Sequence, residues 1–576
     1  MSPQRSFEVW APKAQSVALI LGNERVEMKS VAGGWFEIEA DAVHGDDYAF
    51  SLDGSDPLPD PRSGWQPYGP GGSSRVVDHD VYKWATPHFD PGPLKDQVIY
   101  EIHIGTFTEE GTFDAAIERF PHLESLGVTA IELMPVAEFP GERGWGYDGV
   151  DLFAPHHAYG GPDGLKRLVD AAHTMGIAVI VDVVYNHLGP SGNYLGRFGH
   201  YFTDRYATPW GDAINFDGPE SGPVREFFVE NALTWLRDYH LDGLRLDAIH
   251  AILDTSALHI LEEIAEFVRP ISSQDIRAIW VIAESDLNDP RIVQSRDHGG
   301  YGLDAQWSDD FHHSLFSLLT GDRSGYYADF GKVAHLAKAY KHAFVYGRSY
   351  SEYRRRFHGR AFEDIPGHRF LGYLQNHDQV GNRATGDRSS GLMSPGLLKI
   401  GAALVLTSPF VPMLFMGEEW GASTPFLYFT DHHDPALGRA VTEGRKREFA
   451  AFGWDPSDVP DPQGADTFRR SKLVWNESSE SPHSEFLEWH KQLIALRKAH
   501  PELREGDLDG LKVSFDEEER WIVVERGSFT IAANLSADER FVPTPQGGEV
   551  ILASDDSEAT GGAIRLLPQS IAIRRG

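Results

Sequence analysis

The chain reads as an α/β protein: a (β/α)8 TIM barrel with a β-sandwich before it and a small all-β domain after it. Three observations lead there. Its 576 residues exceed one ordinary core and call for two to four domains. Through the middle of the chain, eight short β-branched runs alternate with helix-patterned stretches, as parallel strands with crossover helices require. Strand-only tracts occupy both ends.

From the N-terminus, FEVWAPKAQSVALIL and GGWFEIEA alternate apolar and polar residues, with turn-rich pieces such as EADAVHGDDYAFSLDG between them. This predicts a β-sandwich over residues 1–90. The stretch Asp53 to Arg75 is dense in Pro, Gly and Ser, so it is a linker or a loop laid on the next domain. The barrel follows over 91–502. Its strand runs are VIYEIHI, TAIELMP, IAVIVDVVYN, GLRLD, IWVIAE, GLDAQW, FLGYLQNHD and VPMLFMGEEW. Helical patterns such as FDAAIERFPHLESLG, DGLKRLVDAAHTMG, PVREFFVENALTWLRDYH and TSALHILEEIAEFV lie between them. Eight units favour a closed barrel over an open doubly wound sheet. The third unit is interrupted by an inserted region, 188–222, rich in glycine and aromatics, and a long loop without clear elements is usually functional. The longest apolar run, GAALVLTSPFVPMLFMG, is broken by Ser408, Pro409 and Pro412 and reads as a buried helix end, a turn and a strand, not a membrane span. SEFLEWHKQLIALRKAH closes the barrel, and ERWIVVER, SFTIAANL and IRLLPQSIAIRR predict the second β-domain over 503–576.

Lys plus Arg number 52 against 86 Asp plus Glu, a net charge of −34. That field repels nucleic acid and anionic lipid and suits a neutral partner such as carbohydrate, although acidity also serves solubility alone. Neither a nucleic-acid nor a membrane partner is expected. The absence of cysteine excludes disulfides and thiolate metal sites and suits a reducing compartment. The opening MSPQRSFEVWAPK lacks the apolar core of a signal peptide, so a cytoplasmic location is expected.

Four strand runs end in polar residues: IVDVVYNH (Asp182, Asn186, His187), LRLD (Arg245, Asp247), WVIAE (Glu284) and LQNHD (Asn376, His377, Asp378). In GLRLD, period-two alternation puts Arg245 and Asp247 on one face and the two leucines on the other. Charges on a buried strand are costly unless paired or used. Taken singly, each residue has an ordinary explanation: a structural ion pair, a helix cap, a core histidine. Jointly they fall where a barrel carries its active site, at the carboxyl ends of the strands. No HExxH and no GxxxxGK[ST] occurs, and the His-His pairs at His156, His312 and His432 lie off the strand ends; a catalytic metal and phosphoryl transfer are therefore disfavoured. Glycoside hydrolysis needs two carboxyl groups of opposite protonation state, and aromatics such as Trp145, Tyr147, Tyr194, Tyr201 and Trp210 suit sugar stacking.

DVVYNH, GLRLDAIH, the strand-end Glu of WVIAE and QNHD resemble, in order, the four signature segments of the α-amylase family, glycoside hydrolase family 13. The resemblance covers roughly Asp96 to His500 and implies a retaining mechanism. Asp247 would be the nucleophile, Glu284 the general acid/base, and Asp378 the third carboxylate. Their separation would be ~5–5.5 Å for Asp247 and Glu284. Arg245 would orient Asp247, His187 and His377 would bind sugar hydroxyls, and Tyr147 would stack on the sugar. NHLGPSGNYLGRFGHYFTDRYATPWGDAINFDG, WSDDFHHSLFSLLTG and PFLYFTDHHDPALGRAVTEGRKREF resemble the subgroup that acts on maltooligosyltrehalose, cutting the α-1,4 bond beside the terminal trehalose unit. That likeness implies that a WSDDFHH loop (Asp309, Asp310, His312, His313), together with Gln379 and Arg383, binds substrate. The family's Lys-His pair after the nucleophile is Ile249-His250 here, leaving His250 as the substrate contact. No metal or cofactor is expected. A functional pairing with a maltooligosyltrehalose synthase would follow from that substrate. The alternatives are a glycogen-branching enzyme and a glucan-binding protein on a dead barrel; the second would predict loss of a carboxylate, and all three are present.

Overall fold

The computed structural model describes residues 4–275, 277–451 and 454–576. At its centre, eight parallel strands close into a barrel: Ile99–Ile102, Ala130–Leu133, Ala178–Val183, Gly243–Leu246, Trp280–Ala283, Ala305–Trp307, Phe370–Gly372 and Val411–Phe415. Each of the eight sequence runs contributes one strand. Their alternation separates two apolar compartments. Inward residues, among them Ile99, Ile180, Ile282, Trp307, Leu371 and Met413, fill the barrel as a cluster of their own. Outward residues such as Leu244 and Leu246 join the larger core shared with the surrounding helices.

Gly161–Thr174, Ser221–Arg237, Ile260–Asp275, Pro395–Leu406 and His483–Ala499 are helices near the predicted positions. Two local expectations change. FDAAIERFPHLESLG splits into Phe113–Ile117 and Phe120–Leu126, because Pro121 lacks the N–H to continue one helix and suits the first turn of the next. WSDDFHH is not a loop: Asp309–Thr320 is a helix, capped by the Ser308 hydroxyl, which accepts from the Phe311 N–H, and begun by two acids at its positive end.

The N-terminal strands form two antiparallel sheets. One holds Gln4–Trp10, Trp35–Asp41 and Lys29–Ser30; the other holds Glu24–Glu27, Val17–Leu21, Asp47–Leu52 and Ser74–Arg75. Asp47–Leu52, inside the piece expected to be turn-rich, is thus an interior strand paired with Val17–Leu21; its nearly continuous burial conceals the alternation that would mark it. The segment 53–75 is laid on the barrel. Trp65 packs on Gly161, and Pro70 packs on Gly192 so closely that an added Cβ would come within 2.4 Å.

The inserted region 188–222 also contains structure: a short helix, Leu195–Phe198, and a hairpin of Phe202–Thr208 and Gly211–Ile214. The hairpin turn carries Trp210 over the carboxyl-terminal mouth of the barrel. After the last barrel helix come a five-stranded and a three-stranded antiparallel sheet. Among the described residues no helix is long and apolar enough to cross a membrane.

Candidate active site

The inward face changes character at the rim. Glu101, Glu132, Asp182 and Arg245, from the first four barrel strands, are buried there, with Glu101 in register with Glu132 and Asp182 with Arg245. Arg245 links the group. Its Nη1 donates to Asp182 Oδ2 at 2.6 Å and to Asp247 Oδ1 at 2.7 Å, and its Nη2 lies 3.8 Å from Glu284 Oε2. The guanidinium sits 4.3 Å from the centre of the Trp307 ring. Burial disfavours its charge, but Asp182, Tyr147 and Asp247 outweigh that and hold its pKa well above the ordinary value. The two charges of GLRLD therefore serve one site.

Both oxygens of Asp247 accept hydrogen bonds: Oδ1 from Arg245, and Oδ2 from Asn186 Nδ2 at 2.8 Å. The same amide nitrogen donates to the Asp247 carbonyl at 2.9 Å, which locks side chain and backbone together. Glu284, at the end of the fifth strand, is in the opposite condition. Burial pushes its pKa well above the carboxylate range; Arg245 opposes this, and the neighbouring Asp247, Asp309 and Asp378 reinforce it. Its Oε2 accepts from the Ala248 N–H at 2.6 Å. Ala248 has φ 39° and ψ 51°, a left-handed conformation that costs a non-glycine residue on the order of 1–2 kcal/mol and aims this N–H at the acid. Asp378 lies in the short helix His377–Gly381, capped by the Asn376 side chain, and its carboxylate is 39% exposed. Asp247, Glu284 and Asp378 line one cavity of about 310 Å3, with Tyr147, Asp148, His187, Trp210, His250 and Tyr428 among the other walls.

His377 is buried with both ring nitrogens engaged, Nδ1 with Glu101 Oε1 at 2.5 Å and Nε2 with the Tyr147 hydroxyl at 2.7 Å. Burial works against the imidazolium, but Glu101 and Asp378 prevail and raise its pKa to about 9. Tyr147 also donates to Asp182 Oδ2 at 2.6 Å, so its ring is held from beneath at the cavity wall. Glu101→Gln should destabilise the protein by about 3–5 kcal/mol near pH 6, because it leaves a buried cation without its partner. His377 is raised above its unfolded value, so its contribution is complete below that value and is lost as pH rises through about 9. The gap between wild type and variant in urea melts should therefore narrow by about pH 10; a gap independent of pH would contradict the pairing.

The remaining predicted residues divide into three groups. His250 lies on the cavity wall, and Asp309, hydrogen-bonded to the Tyr373 hydroxyl at 2.5 Å with its pKa pushed by burial to about 7, helps to raise Glu284. His187 also lines the cavity, but its ring nitrogens contact Asn186 Oδ1 and the Tyr147 carbonyl, and its ring stacks on Trp210 at 4.3 Å. It orders the amide that holds Asp247. Asp310, His312, His313, Gln379 and Arg383 are not on this wall. Asp310 Oδ2 accepts from the N–H groups of Val345 and Tyr346 and from Asn288; His312 meets the Tyr327 hydroxyl, and His313 packs beside Tyr326. Gln379 accepts from Tyr326 and Tyr327, and Arg383 pairs with Asp322. Asp309, at the start of the helix Asp309–Thr320, stays near Glu284. The helix axis carries His312 and His313 about 4.5–6 Å further along, among Tyr326 and Tyr327, and the helix turns Asp310 toward Val345 and Tyr346.

Sequence reasoning passed over Glu101 and Glu132, although each is a charge inside an apolar strand, the signal that marked Arg245. Asp148, Asn382, Tyr428 and Thr430 come from loops whose spacing carries no such signal.

The family model for the alpha amylase catalytic domain matches residues 81–208, and a domain of unknown function (DUF3459) matches residues 506–573. The chain is 48% identical to a malto-oligosyltrehalose trehalohydrolase of Rhizobium sp., covering 99% of this chain and 97% of that one. It is 47% identical to a malto-oligosyltrehalose trehalohydrolase of Mycobacterium tuberculosis, covering 99% of each. A crystal structure from Salmonella typhimurium, described as a candidate alpha amylase, superposes with a TM-score of 0.90 at 40% identity over 99% of this chain and 97% of that one. A 1,4-alpha-glucan branching enzyme of Pseudoalteromonas atlantica is more distant, at 27% identity over 75% of this chain and 62% of that one.

Proposed function

We infer, from the premise that the chain belongs to the malto-oligosyltrehalose trehalohydrolases of the α-amylase family, that it cuts the α-1,4-glucosidic bond next to the terminal trehalose unit of maltooligosyltrehalose and releases trehalose. The observation that carries the chemistry is a pair of carboxyl groups, Asp247 and Glu284, in opposite environments around one buried arginine at an open cleft.

Glu284, kept protonated by burial, gives its proton to the glycosidic oxygen as trehalose leaves. Asp247, aimed by Arg245 and Asn186, attacks the anomeric carbon and forms a glycosyl-enzyme. Water then enters; the Glu284 carboxylate takes its proton while the oxygen attacks the anomeric carbon and displaces Asp247. Asp378, the most open of the three, accepts hydrogen bonds from hydroxyls of the held sugar, and Tyr147 supports that sugar's face. His377 and His187 act as positioning residues, the first for Tyr147 and the second for Asn186. A functional pairing with a maltooligosyltrehalose synthase is consistent with that substrate, and the cysteine-free composition of this chain supports its own placement in the cytoplasm.

Two successive inversions at one carbon retain configuration. Proton NMR during the first minutes of reaction should therefore show the released maltooligosaccharide as the α-anomer, and a β-anomer appearing first would overturn the double displacement. Incubation with trehalose-capped and plain maltooligosaccharides tests the substrate. Equal cleavage of both, with no preference for the trehalose end, would refute it.

A further inference from the structure

A second cavity, of about 470 Å3, adjoins the catalytic cleft where the N-terminal sandwich meets the barrel. Its walls include Tyr68, Glu142, His157, Gly192, Tyr194 and Asp431. We propose that this cavity is a distal subsite for glucose units of the maltooligosaccharide chain, on the side of the cleft that keeps the glycosyl group. The proposal rests on the function inferred above.

Continuity comes first. Thr430 lines the catalytic cleft and the next residue, Asp431, lines the second cavity. Asp148 lines the cleft, and His432 Nε2 lies 3.7 Å from its carboxylate. Asp431 Oδ2 accepts from the Glu142 N–H at 3.0 Å and its Oδ1 from Arg143 at 2.6 Å, so the loops after the second and eighth strands are tied together along the boundary. The two cavities therefore lie on either side of one tied pair of loops, with consecutive residues of the chain facing each.

Direction follows from strand order. In a closed eight-stranded barrel the first strand lies opposite the fifth, and the second and eighth flank the first. Glu284 ends the fifth strand and must face the leaving trehalose. A chain running past Thr430 and Asp148 moves away from that acid, as the retained maltooligosaccharide must.

The chemistry of the walls fits a neutral, hydroxyl-rich chain. Tyr68 is 63% exposed, yet its ring is not loose: its hydroxyl donates to Asp47 Oδ2 at 3.1 Å and accepts from Arg75 Nη2 at 2.8 Å. It is a fixed aromatic face of the kind that packs on the C–H side of a sugar. Glu142 and Asp431 supply acceptors and, in a chain of net charge −34, disfavour an anionic ligand. His157 is held by Glu138, whose Oε1 meets its Nδ1 at 2.7 Å. The close seating of Pro70 on Gly192 fixes the sandwich loop against the barrel insertion, so the subsite is built from both domains.

The experiment compares kcat/KM for maltohexaosyltrehalose and maltosyltrehalose in wild type, Tyr68→Ala, Tyr68→Phe and, as a remote control, Phe541→Ala. Release of trehalose from the short substrate by wild type tests the inferred function by itself. The ratio of long to short tests the subsite. Tyr68→Ala should lower that ratio about two- to tenfold, the range of one aromatic contact. Tyr68→Phe, which keeps the ring, should retain most of it, and Phe541→Ala should leave it at the wild-type value. An unchanged ratio in Tyr68→Ala, or an equal fall in the remote control, would overturn the proposal.

Discussion

Asp247→Asn should reduce the release of trehalose from maltooligosyltrehalose by about 10⁴–10⁶-fold, the range reached when a covalent nucleophile is removed. The substitution is isosteric, so its effect is chemical more than steric. An amide cannot form the glycosyl ester. It also disturbs the cradle in a predictable way, since Arg245 Nη1 and Asn186 Nδ2 are both donors and the carboxylate now offers each an oxygen. An amide has only one oxygen to offer, and the remaining donor faces an NH2 group, at a cost of about 1–3 kcal/mol in stability. The negative charge of Asp247 also helps to keep Glu284 protonated, so the variant should show a lower Glu284 pKa when that carboxyl is followed by NMR. Substrate affinity measured by calorimetry should change far less than kcat. Turnover within tenfold of wild type would mean that Asp247 is not the nucleophile, whatever its contacts.

The legibility of this site was uneven, for physical reasons. Arg245 and Asp247 could be placed because a four-residue strand alternates strictly and a barrel has only an inside and an outside. The same rule applied to VIYEIHI and TAIELMP would have found Glu101 and Glu132, both buried beneath the cleft. Asp310, His312 and His313 resisted because a helix, unlike a loop, turns Asp310 aside and carries the two histidines along its axis away from the rim, and the Ser308 cap that starts this helix looks like any loop serine. Trp210 depended on a hairpin folded within the insertion, and the Ala248 N–H that holds Glu284 belongs to the backbone, where side-chain identity says nothing. Strands were legible through period and composition; loop-borne walls are set by tertiary packing.

Glu284→Gln should lower hydrolysis by about 10²–10⁴-fold, the usual worth of a positioned general acid and base. The amide can keep the bond from the Ala248 N–H through its oxygen, so the geometry survives while the proton is lost. Because burial raises the Glu284 pKa, the wild-type enzyme should lose kcat/KM as pH rises through that value, and the variant should lack this alkaline limb. The stability effect has a definite sign. The folded protein binds the Glu284 proton more tightly than the unfolded chain, so this group's contribution is greatest below the unfolded carboxyl pKa and declines as pH rises toward the folded one. Above the unfolded carboxyl pKa the variant, which has no carboxyl to keep protonated or to bury as an anion there, should melt at least as high as wild type. Two substrates separate the two halves of the residue's role. An α-maltosyl fluoride, whose leaving group needs no proton, should form the glycosyl-enzyme at nearly normal rate in the variant and then stall. Azide, which needs no base to attack, should release it as the α-glycosyl azide. If the variant kept the alkaline limb, or azide failed to speed its turnover, the proton would have to come from a group other than Glu284, and Asp309, with its pKa near 7, would be the next to test.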